Sequence, residues 1–168
     1  MWHATDFSAV THAAGRNGTT KFSVDGKPFR FQVPRGKVLF GGLSGYKSIT
    51  IETSAEFADW WRSALEVELA KGLTPFKSNM SGTSLRLKVD PSTQIFDANR
   101  QIKFPELVEG TFAGQTVTCI AEIVGTYFFQ ETFGLTCRIY QLIERPVDVQ
   151  EEEEEETVAP IKGFAFLS

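Results

Sequence analysis

"QTVTCIAEIVGTYFFQETFGLTCRIYQLIE", residues 115–144, is the longest strand-like text in the chain. Two apolar runs rich in β-branched and aromatic residues flank a polar break. That pattern predicts a long β-hairpin turning near Gln130–Gly134. In the second run Leu135, Cys137 and Ile139 alternate with Thr136, Arg138 and Tyr140. Successive strand side chains point to opposite faces, so the first set meets a core and the second meets water.

The text on either side of this hairpin supplies its partners. "TTKFSVDGKPFRFQV" (residues 19–33) places two alternating runs around Asp25-Gly26, a strong type I′ turn signal. Phe29, Phe31 and Val33 face one side of its second run, and Arg30 and Gln32 the other. "RGKVLFGGLSGYKSITIET" (35–53) reads as two short strands broken by Gly41, Gly42 and Gly45. "SLRLKVD" (84–90) turns Leu85, Leu87 and Val89 inward and Arg86 and Lys88 outward, and "TQIFDANRQIKF" (93–104) reads as a ribbon around Asn99. Seven or eight strands result.

One helix stands between the strand groups. "TSAEFADWWRSALEVELAKG" (53–72) opens with Thr53 and Glu56 at capping-box spacing and closes on Lys71 and Gly72. Phe57, Trp61, Ala64, Leu65 and Leu69 share one stripe, with Trp60 at its margin. Helical spacing marks the tryptophans as core anchors rather than base-stacking platforms. With no βαβ alternation, a doubly wound sheet is disfavoured. The expected fold is mainly β: a small, partly closed antiparallel barrel with one main helix plugging an end. The OB-fold is the commonest such design.

The chain has 168 residues, enough for one domain with a real core plus a little extra. We expect a loosely organised N-terminal segment (1–18), a folded body (19–146) and an acidic C-terminal tail (147–168). No apolar stretch approaches the roughly 20 residues of a membrane helix, and the N-terminus does not read as a secretory signal. A soluble protein is expected. Cys119 and Cys137 lie in apolar strand text, where reduced thiols are expected, so a reducing intracellular compartment is the better setting.

Charge is unevenly spread. The formal net charge is −4, yet residues 1–146 carry +2 and residues 147–168 carry −6. Residues 16–50 carry +6 and residues 71–103 carry +4. Two basic segments and a detachable acidic tail concern polyanion partners.

An active site is not advertised. His3 and His12 are the only histidines, no His/Cys cluster has metal-ligand spacing, and "FGGLSG" lacks the lysine and hydroxyl of a phosphate loop. Asp90 and Asp97 sit in turn contexts. No catalytic group, metal or cofactor is expected. What remains is a basic and aromatic outer surface: Lys21, Arg30, Gln32, Arg35, Lys37, Tyr46, Lys47, Arg86, Lys88, Arg138 and Tyr140. Cations track phosphates and aromatic faces accept any base, which suits a single strand; an ordinary solvated sheet face stays open as the plainer reading.

The tail has two parts. Glu151, Glu152, Glu153, Glu154, Glu155 and Glu156 form a polyanion, and Phe164, Phe166 and Leu167 form an apolar stub. A tethered polyanion can occupy a cationic groove until nucleic acid displaces it, while the stub offers aromatic bait to a partner protein. A solvated tail whose stub folds back on the body is the alternative.

The succession "PFRFQVPRGKVLFGG", "TPFKSNMSGTSLRLKVD", "TQIFD" and "VTCIAEIVGTYFFQETFGLTCRIYQLI" resembles the OB-fold single-stranded DNA-binding proteins of large DNA viruses and tailed phages, over roughly residues 20–145. The tail is similar to those of phage and bacterial members, but Lys162 and Gly163 precede its phenylalanine where the bacterial stub has Asp-Phe. The resemblance implies a viral source and sequence-nonspecific single-strand binding in replication, recombination or repair, with partners recruited through the tail. DNA or RNA as ligand, and a homodimer, stay open. So does a β-rich virion or scaffold protein that docks through its tail.

Overall fold

The computed structural model describes residues 2, 5–41, 48–96, 102–103 and 114–145. The strands are β1 (Val10–Ala14), β2 (Thr20–Val24), β3 (Phe29–Gly41), β4 (Ser48–Glu52), β5 (Phe76–Lys77), β6 (Met80–Ser81), β7 (Ser84–Lys88), β8 (Gln94–Phe96), β9 (Ile102–Lys103), β10 (Thr116–Phe129) and β11 (Thr132–Arg145). All belong to one sheet.

The hairpin of residues 115–144 forms as read, with β10 and β11 paired from Thr116↔Arg145 to Phe129↔Thr132. Around it five strands close into a ring. β10 pairs with β3, β3 with β4, β4 with β7, β7 with β11, and β11 with β10. Four of these pairings are antiparallel and β7–β11 is parallel, an OB-like arrangement. The β10–β11 register shifts twice, with an extra residue on β11 between Ile120/Ala121 and one on β10 between Ile123/Gly125, and these bulges bend the hairpin as closing so small a ring requires. At the β2–β3 turn Asp25 and Gly26 have φ of 51° and 76°, the left-handed pair of a type I′ turn.

The ring interior holds the inward alternation. Val33, Ile49, Leu85, Leu87, Ile123, Leu135 and Ile139 are fully buried. One end is covered by a helical rod: α1 (Ala55–Trp60), a π-helical turn (Trp61–Leu65) and α2 (Glu66–Ala70). Its cap is Ser54, whose Oγ accepts from Phe57 N at 3.1 Å, one position beyond the expected Thr53. Thr53 Oγ1 instead donates to Thr83 O at 2.7 Å, tying β4 to the turn before β7. Phe57, Trp61, Leu65 and Leu69 are buried as the stripe requires, and Trp61 packs between the rings of Phe31 and Phe57.

The N-terminal segment contributes an element the sequence reading leaves unassigned. Residues 10–14 form β1, paired antiparallel with β2 from Val10↔Val24 to Ala14↔Thr20. Only Val10 of this strand is buried, so its apolar alternation is too weak to signal a strand by itself. Trp2 reaches the helix, its ring centroid 5.2 Å from that of Phe57. Cys119 and Cys137 are free thiols buried in the interior, and burial pushes the Cys119 thiol up to about 12.

Candidate nucleic-acid interface

Strand alternation decides which side chains the ring presents outward, and pairing decides which of them meet. On β3, β10 and β11 the outward residues lie side by side: Arg30 opposite Glu122, Glu122 opposite Arg138, with Tyr140 next along β11. Arg30 Nε donates to Glu122 Oε1 at 2.8 Å, and Arg138 Nη1 stands 3.3 Å from the same oxygen. Arg138 also makes a forked contact with Asp90, Nε to Oδ2 at 2.6 Å and Nη2 to Oδ1 at 3.1 Å. The Arg30 guanidinium lies 3.5 Å over the centroid of the Tyr140 ring.

The contact between Arg138 and Asp90 shifts the titration of both. Hydrogen bonding from Arg138 holds the Asp90 carboxyl down at about 2. Partial burial pulls the Arg138 guanidinium down, but Asp90 and Glu122 outweigh it and hold its pKa above the ordinary value. Arg138 and Glu122 each keep only 12% of their side-chain surface in water. Two of the arginines expected to meet phosphate therefore already have carboxylate partners.

A second group of cations is differently placed. Arg86 and Lys88 are exposed on β7, facing β4 across the pairs Thr50↔Arg86 and Ser48↔Lys88. Arg86 Nε donates to Ser48 Oγ at 3.1 Å. Lys77 extends this group from β5, which pairs with β11 at Gly134. Lys37 is exposed on β3 opposite Thr116, and Arg35 is exposed nearby. Among the described residues no carboxylate forms an ion pair with Lys37, Lys77, Arg86 or Lys88. Lys21 is exposed on β2 opposite Gly125, with β10 and β11 between it and β7. Gln32 lies half-buried beside Arg30 on β3. Tyr46 and Lys47, and the tail residues Glu151–Glu156, Phe164, Phe166 and Leu167, lie outside the described residues.

The tip of the β10–β11 hairpin is a feature that reading the strands as a plain hairpin misses. Tyr127, Phe128 and Phe129 are 37%, 43% and 66% exposed. Phe128 and Phe133 pair across the strands with ring centroids 4.7 Å apart. Opposite Tyr127 stands Gly134, and an added Cβ there would lie 2.4 Å from the tyrosine ring. The missing side chain is what lets the ring lie flat on the sheet. Three consecutive aromatics beside a two-residue turn were the available signal.

No protein-family model matches the chain, and no curated protein matches it by sequence. Solved structures do. The C-terminal truncation of the single-stranded DNA-binding protein from bacteriophage Enc34 is similar at a TM-score of 0.53 and 11% identity, over 84% of this chain and 98% of that one. The untruncated protein is similar at 0.52 and 9%, over 84% and 92%. The same protein in complex with single-stranded DNA is similar at 0.50 and 11%, over 84% and 98%. At such identities the likeness establishes a shared fold, in agreement with the resemblance read from the sequence.

Proposed function

We propose that this chain binds single-stranded DNA without sequence preference. The observation that carries this reading is the group Arg86, Lys88 and Lys77, cations that have no carboxylate partner among the described residues, on an OB-like ring. In chain order around the ring β4 and β7 are the second and third strands, the face with which OB-folds bind oligonucleotides. The fold shared with a phage single-stranded DNA-binding protein supports the same assignment. Phosphates follow the cations, and the exposed rings at the hairpin tip offer stacking surfaces, each stacked base contributing about 1–3 kcal/mol. Such a protein protects and organises single strands during replication, recombination or repair. Its acidic tail competes for the cationic face and presents Phe164 and Phe166 to partner proteins. Buried, unpaired thiols suit a reducing compartment.

Titration against single-stranded DNA, single-stranded RNA and duplex DNA across a salt series tests the reading. Log affinity for a single strand falls with log salt at a slope of about −0.7 per phosphate contacted, with roughly three to six contacts expected. Equal affinity for duplex and single strand at moderate salt sinks it. Removing residues 147–168 changes the net charge from −4 to +2 and raises single-strand affinity, most at low salt. Replacing Phe164 and Phe166 by alanine leaves that affinity unchanged and abolishes partner capture. A truncation that binds no better at any salt removes the competitor role from the glutamates. The second reading, a docking or scaffold protein, draws on the exposed Phe128 and Phe129, and weak salt-insensitive binding to oligonucleotides favours it.

A further inference from the structure

Beside the charge ladder lies a cavity of about 650 Å³, away from the β4–β7 face. Its floor is the outer surface of β3, β10 and β11, at Arg30, Gln32, Ile120 and Tyr140. The β2–β3 turn (Asp25, Lys27, Pro28) forms one wall and the segment Thr5–Ala9 contributes to the other. Three features define what fits. The charges around it balance, Asp6 and Asp25 against Lys27 and Arg30, so it does not select an anion. Much of the remaining lining is apolar. And part of the floor is a plane: Glu122 holds the Arg30 guanidinium by its Nε edge while the Tyr140 ring backs one face. That leaves the opposite face of the guanidinium, on a side chain that stays 34% exposed.

We propose that this pocket takes one nucleobase of a bound single strand, stacked on Arg30. The proposal rests on the single-strand reading above and extends it to a second site. A base is flat, neutral and weakly hydrated on its faces, which matches a balanced cavity with one cationic plane. Guanidinium planes stack bases as aromatic rings do. Asp25 and Asp6 at the rim accept hydrogen bonds from base N–H groups, the N3–H of thymine among them, and repel phosphate, so the backbone passes outside while the base turns in. Tyr140 is then a positioning residue: it supports the guanidinium from behind rather than meeting the base itself. Glu122 fixes the orientation of the same plane.

The test uses the full chain and two labelled strands of equal length, one of thymidine nucleotides and one of abasic residues, read by fluorescence anisotropy over a salt series. Arg30→Lys keeps the charge and removes the plane. It weakens binding to the thymidine strand by at least about fivefold and leaves binding to the abasic strand and the salt slope as in the wild type. Tyr140→Leu, which keeps Arg30 and removes its support, gives the same pattern in milder form. Wild-type affinity in Arg30→Lys, or an equal loss on the abasic strand, overturns the pocket. If the wild type binds neither strand, the single-strand reading fails and the pocket goes with it. If the wild type binds, Lys88→Ala weakens it and Arg30→Lys does not, the pocket alone is lost.

Discussion

On β3 and β11, Arg30 and Arg138 stand beside Glu122 and Asp90; on β7, Arg86 and Lys88 stand beside serine and threonine of β4. The two regions carry the same kind of side chain on the same outer surface. Their neighbours make them different instruments. In the first region each guanidinium has spent its hydrogen-bonding edge on a carboxylate, so it offers a fixed plane and little net field. In the second the cations stand against neutral hydroxyls and keep their field, which is what a passing phosphate responds to. The lesson is that a basic residue on a strand does not name its own role; the residue across the ladder does.

That contrast can be broken at four points. Arg138→Ala leaves Asp90 with only the Ser92 bonds of its own turn and the nearly buried Glu122 with Arg30 alone, and should cost about 2–3 kcal/mol of stability by denaturant unfolding, while the salt slope of DNA binding stays put. A slope that falls instead would move Arg138 into the phosphate-binding group. The double substitution Arg86→Ala, Lys88→Ala should fold normally, lose about tenfold in single-strand affinity and flatten the salt slope by about 1.4. Unchanged affinity would remove the β4–β7 face from the site.

The third point is the pH dependence of the ladder. Asp90 has its pKa depressed to about 2 by Arg138, below its unfolded value, so its contribution is complete above about pH 4 and disappears as pH falls through 2. Asp90→Asn should therefore lower stability at pH 6 by on the order of 1 kcal/mol, allowing for its exposure, and match the wild type near pH 2. A pH-independent difference would mean that packing, not charge, is what the substitution removes. The smallest effect belongs to Glu122→Gln, which removes one negative charge from the face. The substituted amide oxygen can still accept from Arg30 Nε and keep the plane oriented, so single-strand affinity should rise about twofold at low salt, and a fall would show that the carboxylate charge itself holds the plane.

Much of this was legible in the sequence, and the boundary has a physical origin. Asp25-Gly26, the helix stripe from Phe57 to Leu69 and the alternation along β7 and β11 are local patterns, and local geometry enforces them. The identity of Arg30 and Arg138 as outward residues followed from alternation alone. Their partners did not, because Glu122 meets Arg30 only in a register set by a bulge in β3, between its pairs with Val117 and Cys119, and Asp90 meets Arg138 across 48 residues of chain. The sequence context of Asp90 predicts a turn former. The residue does bond Ser92 N and Oγ within its own turn, at 2.8 and 2.5 Å, and it also anchors the ladder. Reading Tyr140 as a bare stacking ring was incomplete for the same reason, since the side chain covering it comes from a distant strand. Residues 10–14 escaped notice because a strand that buries one residue leaves almost no periodic trace.

The closure of the ring has a consequence for how the molecule comes to exist. β11 pairs with β10, β7, β8 and β5, all of which precede it in the chain. During synthesis β3, β4, β7 and β10 emerge first, and until residues 132–145 follow, β10 presents an unpaired edge and β7 one that β6 covers only at Ser84 and Leu85. Open edges are templates for pairing with other chains, and the contacts that seal them are distant in sequence and slow to form. The nascent protein thus passes through an interval in which its two seams are exposed together, and one last strand closes both.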